Sequence, residues 1–171
     1  MEVALATERL LLRRLSLDDA DRLLGIFSDP IAMRYYESTR DRAQTEGWIR
    51  WSLAMYAERG HGMWAAIEKQ QNRFVGQVGL VAQEIGGETE LEVGYLLLRS
   101  CWGNGYATEA ARACCDYGFR ELGAERLISL IDPRNEPSQR VAERLGMRFE
   151  REIEKWDKRV RLYSVSQEMR T

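Results

Sequence analysis

Between Arg99 and Ala110 the chain reads Arg-Ser-Cys-Trp-Gly-Asn-Gly-Tyr-Ala-Thr-Glu-Ala. Gly103 and Gly105 precede a run in which Ala107, Ala110, Ala111, Cys114, Gly118 and Phe119 recur at helical spacing, with Gly123 as its stop. A glycine loop entering a helix suits an anion. Without Cβ atoms the backbone can approach closely, and the first helical N–H groups and the helix dipole point at negative charge. A pyrophosphate is the usual occupant, although the same glycines would also make a plain strand-to-helix turn. A phosphate loop ending in Gly-Lys-Ser/Thr is excluded, because that tripeptide does not occur. A dinucleotide fingerprint wants a small residue where Thr108 stands and a parallel βαβ setting, which the preceding hairpins do not offer.

A second group follows at Asn135-Glu136-Pro137-Ser138. Asn135 and Pro137 predict the start of a short helix through Val141, Ala142 and Leu145, ended by Gly146. Ser138 shares that apolar stripe, so a hydroxyl stands where an aliphatic group is expected; first-turn capping is the plainer role. His61, the one histidine, follows Gly60 and reads as an exposed loop residue. With one histidine, neither a multi-histidine metal site nor a triad with a choice of bases is expected, and no metal is expected. Cys101 has no basic neighbour in sequence to activate it as an acyl carrier.

The elements that position these groups are read from periodicity. Glu8–Leu15 predicts a strand, Ser16 a helix cap, and Ala20, Leu23, Leu24 and Phe27 a helix that Asp29-Pro30 closes. A second helix over 43–58 would present Trp48, Trp51, Leu53 and Met55 as a wide apolar face. Hairpin strands follow at 63–67 and 73–81. Gly86-Gly87 then turns the chain into a strand that alternates Leu91, Val93, Tyr95 and Leu97 against Glu90, Glu92 and Gly94. Arg126–Ile131 reads as a buried strand, and 147–153 and 160–165 as two closing strands about a charged turn. The order β-α-α-β-β-β-α-β-α-β-β is that of a mixed α+β sheet domain.

Composition agrees. The 171 residues, 44% hydrophobic and 30% charged, suit one compact domain over 1–171. A balance of 25 Lys+Arg against 27 Asp+Glu lacks the footprint of a nucleic-acid binder. No membrane-spanning apolar run occurs, and Met1-Glu2-Val3 does not open a secretory leader. Together with three unpaired-looking cysteines, Cys101, Cys114 and Cys115, this predicts a cytoplasmic protein with reduced thiols.

In order and spacing these blocks resemble the GNAT superfamily of acyl-CoA-dependent N-acetyltransferases, within it the RimJ/RimL-like ribosomal-protein-alanine N-acetyltransferase group. The likeness runs from Glu8–Arg13 and Ser28-Asp29-Pro30 through Glu92-Val93-Gly94-Tyr95 and Gly105–Ala110 to Asn135–Ser138 and Leu145-Gly146-Met147. It implies a central twisted, mostly antiparallel sheet with two splayed strands, flanked by helices. Acetyl-CoA would lie in the splay, its pantetheine along Tyr95, Leu96 and Leu97. Its pyrophosphate would meet the N–H groups of Trp102, Gly103, Asn104, Gly105, Tyr106 and Ala107, with Asn135 and Ser138 as further contacts. The resemblance further implies Glu92 as the base that helps deprotonate the amine, Ser138 as the donor to the leaving thiolate, and a backbone N–H near Leu97 for the oxyanion. Two departures stand out: Ser100 replaces the Gln/Arg of the loop motif, and Ala142 occupies the position of a general-acid tyrosine in many relatives. The implied acceptor is an amine, either a protein N-terminus or a small molecule, attacked directly in a ternary complex. A non-catalytic acyl-CoA sensor of the same fold is the alternative. Arg140 and Arg144, one helical turn apart, could meet the cofactor's phosphates but read better as a solvated face. The resemblance puts Trp48, Trp51, Tyr35 and Tyr36, in the early helices, where the family lines its acceptor site, with core packing the plainer role. The late strands offer a surface for a homodimer.

Overall fold

The computed structural model describes residues 2–170; Met1, at the head of the amino-terminal stretch read above, and Thr171 lie outside the described residues. In chain order the elements are β1 (Val3–Ala6), β2 (Leu10–Arg14), α1 (Ala20–Phe27), α2 (Arg42–Arg59), β3 (Met63–Glu68), β4 (Arg73–Ile85), β5 (Glu88–Leu97), α3 (Tyr106–Arg120), β6 (Arg126–Ile131), α4 (Glu136–Arg144), β7 (Arg148–Lys155) and β8 (Lys158–Ser166). They match the predicted order with one strand added, β1, which pairs with β2 and is too short and too weakly alternating to stand out in the sequence.

All eight strands form one sheet in the order β1-β2-β3-β4-β5-β6-β8-β7. Every pairing is antiparallel except β5 with β6, which run parallel and share a single register pair, Glu92 with Ile128. Beyond that pair β5 has no strand partner on its β6 side, whereas β4 accompanies it to Leu97. The sheet is therefore split from Val93 onward.

Two apolar layers hold the faces. On one, α3 and α4 cover Leu10, Leu12, Trp64, Leu80, Val93 and Leu127; on the other, Leu15, Leu23, Ile26, Phe27 and Ile49 pack over Met63, Ala65 and Ile67. Fully burying each such Leu or Ile contributes about 1.5–3 kcal/mol.

The buried stripe of α2 differs from the one expected. It consists of Thr45, Ile49, Ser52 and Tyr56, while Leu53 is exposed and Trp48, Trp51 and Met55 are half-buried. The polar residues can go inside because their hydroxyls are satisfied locally: Thr45 donates to the Asp41 carbonyl at 2.8 Å and Ser52 to that of Trp48 at 3.0 Å. Tyr56 donates to the Met63 carbonyl and accepts the Leu15 N–H at 3.1 Å.

His61 also departs from expectation. It is buried, with Nδ1 2.9 Å from the Leu80 carbonyl, and it borders a hollow of about 490 Å3 that also includes Arg59 and the ion-paired Glu90 and Arg126. The last hairpin is tighter than read: Lys155 pairs with Lys158, so Trp156 and Asp157 make a two-residue turn with φ of 54° and 56°.

Candidate functional site

The gap between β5 and β6 opens into a cleft of about 780 Å3. One wall is the end of β5, Tyr95 to Leu97. The floor is the glycine loop and the first turn of α3, and the opposite wall is the start of α4, with Asn135, Pro137 and Ser138. The turn after α1 supplies the fourth side through Ile31, Ala32, Arg34, Tyr35 and Tyr36.

The loop is shaped by its glycines. Gly103 and Gly105 both have φ of 78°, a conformation that a side chain disfavours, and Gly105 is the residue from which α3 starts. Asn104 turns its amide inward onto the carbonyls of Cys101 and Trp102, each at 3.1 Å. Trp102 donates from Nε1 to the Leu97 carbonyl at 3.1 Å, joining the loop to the end of β5. Arg9 clamps the loop from the amino-terminal side, donating from Nη1 to the Asn104 carbonyl at 2.8 Å and from Nε to Glu109 at 2.7 Å, with its guanidinium 4.7 Å from the Tyr106 ring. The far end is fixed by Arg99 Nε, which meets Asp29 at 2.5 Å. These two ion pairs join motif blocks about 100 and 70 residues apart.

The cleft lining contains Arg34, Arg140 and Arg144 and, among the described residues, no carboxylate. Cationic side chains, left-handed glycines and the N–H groups of the first α3 turn fit a multiply charged anion. Arg140 and Arg144, read as a solvated face sooner than as phosphate contacts, are exposed and also form cleft wall. Tyr35 and Tyr36 are not helical; they belong to the turn between α1 and α2.

The expected site residues are mostly assembled here. Tyr95, Leu96, Leu97, Trp102, Gly103, Gly105, Tyr106, Ala107, Asn135 and Ser138 line the cleft. Asn104 does not line it, and its side chain braces the loop from within. Ser100 is exposed and also outside the lining, so the replacement of Gln/Arg leaves the anion site to backbone and to other cations. Asn135 caps α4, accepting the Ser138 N–H at 3.2 Å, and the Tyr95 hydroxyl donates to the Ser138 carbonyl at 2.9 Å. Ala142 is packed in the core. Cys101 is 1% exposed, and its thiol meets Ser100 Oγ at 3.9 Å.

Glu92 lies at the root of the split, outside the cleft lining. Gln83 Nε2 donates to one of its oxygens at 3.0 Å and the Leu130 N–H to the other at 3.1 Å. Burial raises its carboxyl to about 7, against the pull of those two donors. Beside it, Ser129 Oγ donates to the Val93 carbonyl at 3.0 Å.

The profile of the acetyltransferase (GNAT) domain matches residues 9–148. The protein YkkB of Bacillus subtilis (strain 168) is 44% identical over 160 residues, 93% of each chain. The crystal structure of an acetyltransferase from Agrobacterium tumefaciens str. C58 is 30% identical, with a TM-score of 0.85 over 98% of this chain and 95% of that one. At 17% identity, a likeness of fold, the RimL ribosomal L7/L12 alpha-N-protein acetyltransferase in complex with coenzyme A superposes with a TM-score of 0.78 over 96% and 98% of the two chains. Among the described residues no helix is long and apolar enough to cross a membrane.

Proposed function

The chain belongs to the GNAT acetyltransferase domain family and is an acetyl-CoA-dependent acetyltransferase, and on that premise we propose that it acetylates a primary amine by direct attack in a ternary complex. One observation carries the reading. A split in the sheet has the glycine loop and the start of α3 at one end, Glu92 at its root and Ser138 in its wall.

The residues divide the work. The Trp102 N–H donates to the Arg99 carbonyl at 3.1 Å and is not free, so the N–H groups from Gly103 to Ala107 hold the pyrophosphate of acetyl-CoA, with Arg140 and Arg144 adding positive charge at the mouth. The open edge of β5 from Tyr95 to Leu97 takes the pantetheine as an added strand. Bound there, acetyl-CoA supplies the acetyl group as a thioester. The amine nitrogen bonds to the carbonyl carbon, the carbon–sulfur bond breaks, and the amine proton passes towards Glu92 while Ser138 donates to the departing sulfur. A base near 7 is matched to an amine near 8, the range of a protein or peptide α-amino group, better than to a lysine near 10.4. The acceptor is a primary amine, on a protein N-terminus as in the name of RimL or on a small molecule, with an α-amino group the better match to this base. A single domain over 1–171 acting in the cytoplasm completes the reading.

The test is thiol release from acetyl-CoA against peptides with varied N-termini, amino acids, polyamines and aminoglycosides, with acetyl-CoA binding followed by calorimetry. Release that depends on an α-amine supports the assignment. Tight binding without release for any amine would identify a sensor instead.

A further inference from the structure

Along β5, from the root of the split towards the cleft, three fastenings follow one another. At Glu92 the strand shares its register pair with Ile128, and the carboxylate accepts the Leu130 N–H at 3.1 Å. At Val93 the carbonyl accepts from Ser129 Oγ at 3.0 Å. At Tyr95 the partner changes: the phenol hydroxyl crosses to the start of α4 and donates to the Ser138 carbonyl at 2.9 Å. Leu96 and Leu97 follow, and among the described residues no hydrogen bond joins them to β6 or α4.

The cleft begins where those fastenings end. Glu92, Val93 and Gly94 do not line it and neither does any residue of β6, whereas Tyr95, Leu96 and Leu97 do. It therefore stops at Tyr95, about 10 Å short of Glu92 at the usual rise of about 3.3 Å per strand residue. What closes the interval is the Tyr95 side chain. Half-buried, it packs on the apolar layer under α3 and α4, its backbone is held in register with Val78 of β4, and its far end is tied to Ser138. A ring anchored at both ends is a strut between two walls, because turning it to another rotamer breaks the hydroxyl's bond. Val141, one helical turn after Ser138 and 8% exposed, adds an apolar side chain to the same wall.

With the pyrophosphate on the glycine loop and the pantetheine along β5, the thioester arrives at the opposite end of the cleft, where Ser138 stands and Tyr95 bars the way. Resting on the transferase reading above, we propose that Tyr95 is the back wall of the acyl pocket and limits the donor to short acyl groups: acetyl fits, and chains longer than propionyl collide with the ring. Tyr95 touches the acyl methyl and determines specificity. Ser138 has a second part in this, holding the ring in place through its main-chain carbonyl.

The experiment measures, by calorimetry on the full chain, the Kd of CoA and of acetyl-, propionyl-, butyryl- and hexanoyl-CoA for the wild type, Tyr95→Phe and Tyr95→Ala. Each Kd is taken relative to that of CoA, so that general changes in the cofactor site cancel. The wild type is expected to bind butyryl-CoA about tenfold more weakly than acetyl-CoA, since extra methylenes overfill a walled pocket. Tyr95→Ala removes the wall and should bring butyryl- and hexanoyl-CoA to within about threefold of acetyl-CoA. Tyr95→Phe keeps the ring and frees its end, and should reduce the tenfold preference to about threefold. Melting curves verify that the variants fold, and Tyr95→Phe, which deletes one hydroxyl, carries the test if Tyr95→Ala does not. Equal affinity of the wild type for acetyl- and butyryl-CoA, or an unchanged preference in either folded variant, would overturn the proposal. Wild-type protein that binds neither CoA nor acetyl-CoA would overturn the transferase reading and this assignment with it. The expected length limit without acetylation of any amine would overturn that reading alone.

Discussion

The Leu130 N–H donates to Glu92 Oε2 at 3.1 Å, just past the one register pair that β5 and β6 share, Glu92 with Ile128. A side chain thus provides the acceptor that the neighbouring strand has ceased to provide. Glu92→Ala leaves that N–H without a partner, which costs about 1–3 kcal/mol of stability. Glu92→Gln keeps an oxygen for Leu130, and the Gln83 amide can turn its own oxygen to the new NH2 group. The Ala variant should unfold at lower urea than the Gln variant, while both lose acetylation rate. Urea titration beside thiol-release kinetics separates the structural share of Glu92 from its chemical share.

The titration of Glu92 gives opposite slopes for stability and rate. Its folded-state value of about 7 lies above the ordinary 4.5, so the folded protein holds the proton more tightly than the unfolded chain. That contribution is complete below about 4.5 and is lost as pH rises through about 7. Relative to Glu92→Gln, the wild type should lose on the order of 3 kcal/mol over this interval and change little above it. A base must be ionised to accept a proton, so acceptor kcat/KM should rise through pH 7 in the wild type and be flatter in Glu92→Gln. Paired urea and kinetic profiles from pH 5 to about 9 check both signs.

Much of this site could be read from local pattern. Strand alternation from Leu91 to Leu97, the two glycines before a helical repeat, and Asn135 with Pro137 each use short-range physics, and they recur in place in β5, α3 and α4. What escaped depends on hydrogen bonds that hydropathy does not register or on partners distant in sequence. Thr45 and Ser52 occupy the buried stripe of α2 because their hydroxyls bond backward along the helix, which hydrophobic periodicity cannot register. His61 follows a turn glycine yet is buried against Leu80, a strand residue that only tertiary pairing brings near. Ile31, Ala32 and Arg34 gave no signal beyond the helix stop at Asp29-Pro30, and the Arg99–Asp29 pair is what turns that stop into a cleft wall.

Arg9 should matter to the cofactor although it comes almost 100 residues before the loop. It braces the Asn104 carbonyl, pairs with Glu109 and stacks on Tyr106. Arg9→Ala removes the brace and a cation beside an anion site, and both effects weaken binding. Acetyl-CoA Kd should rise about tenfold, with a stability loss of only about 1 kcal/mol because the pair is partly exposed. Arg9→Lys should recover little of the affinity, since an ammonium cannot hold a carbonyl and a carboxylate in the same planar fork. Calorimetry on the three proteins decides it.

Ser138 allows a clean separation of chemistry from architecture, because its main chain makes the structural contacts. Its N–H goes to the Asn135 cap and its carbonyl receives the Tyr95 hydroxyl, and Ser138→Ala preserves both. The variant should melt like the wild type and bind acetyl-CoA equally well. Asn135→Ala, which removes the cap, should lose about 1 kcal/mol of stability. If the Ser138 hydroxyl donates to the leaving sulfur, kcat should fall about tenfold, and no further, because a thiol of pKa near 8.5 departs without a strong acid. A loss near tenfold at unchanged Kd would place the donor in the rate-determining step. An unchanged kcat would instead mean that solvent protonates the thiolate, leaving Ser138 as a residue of the helix start alone.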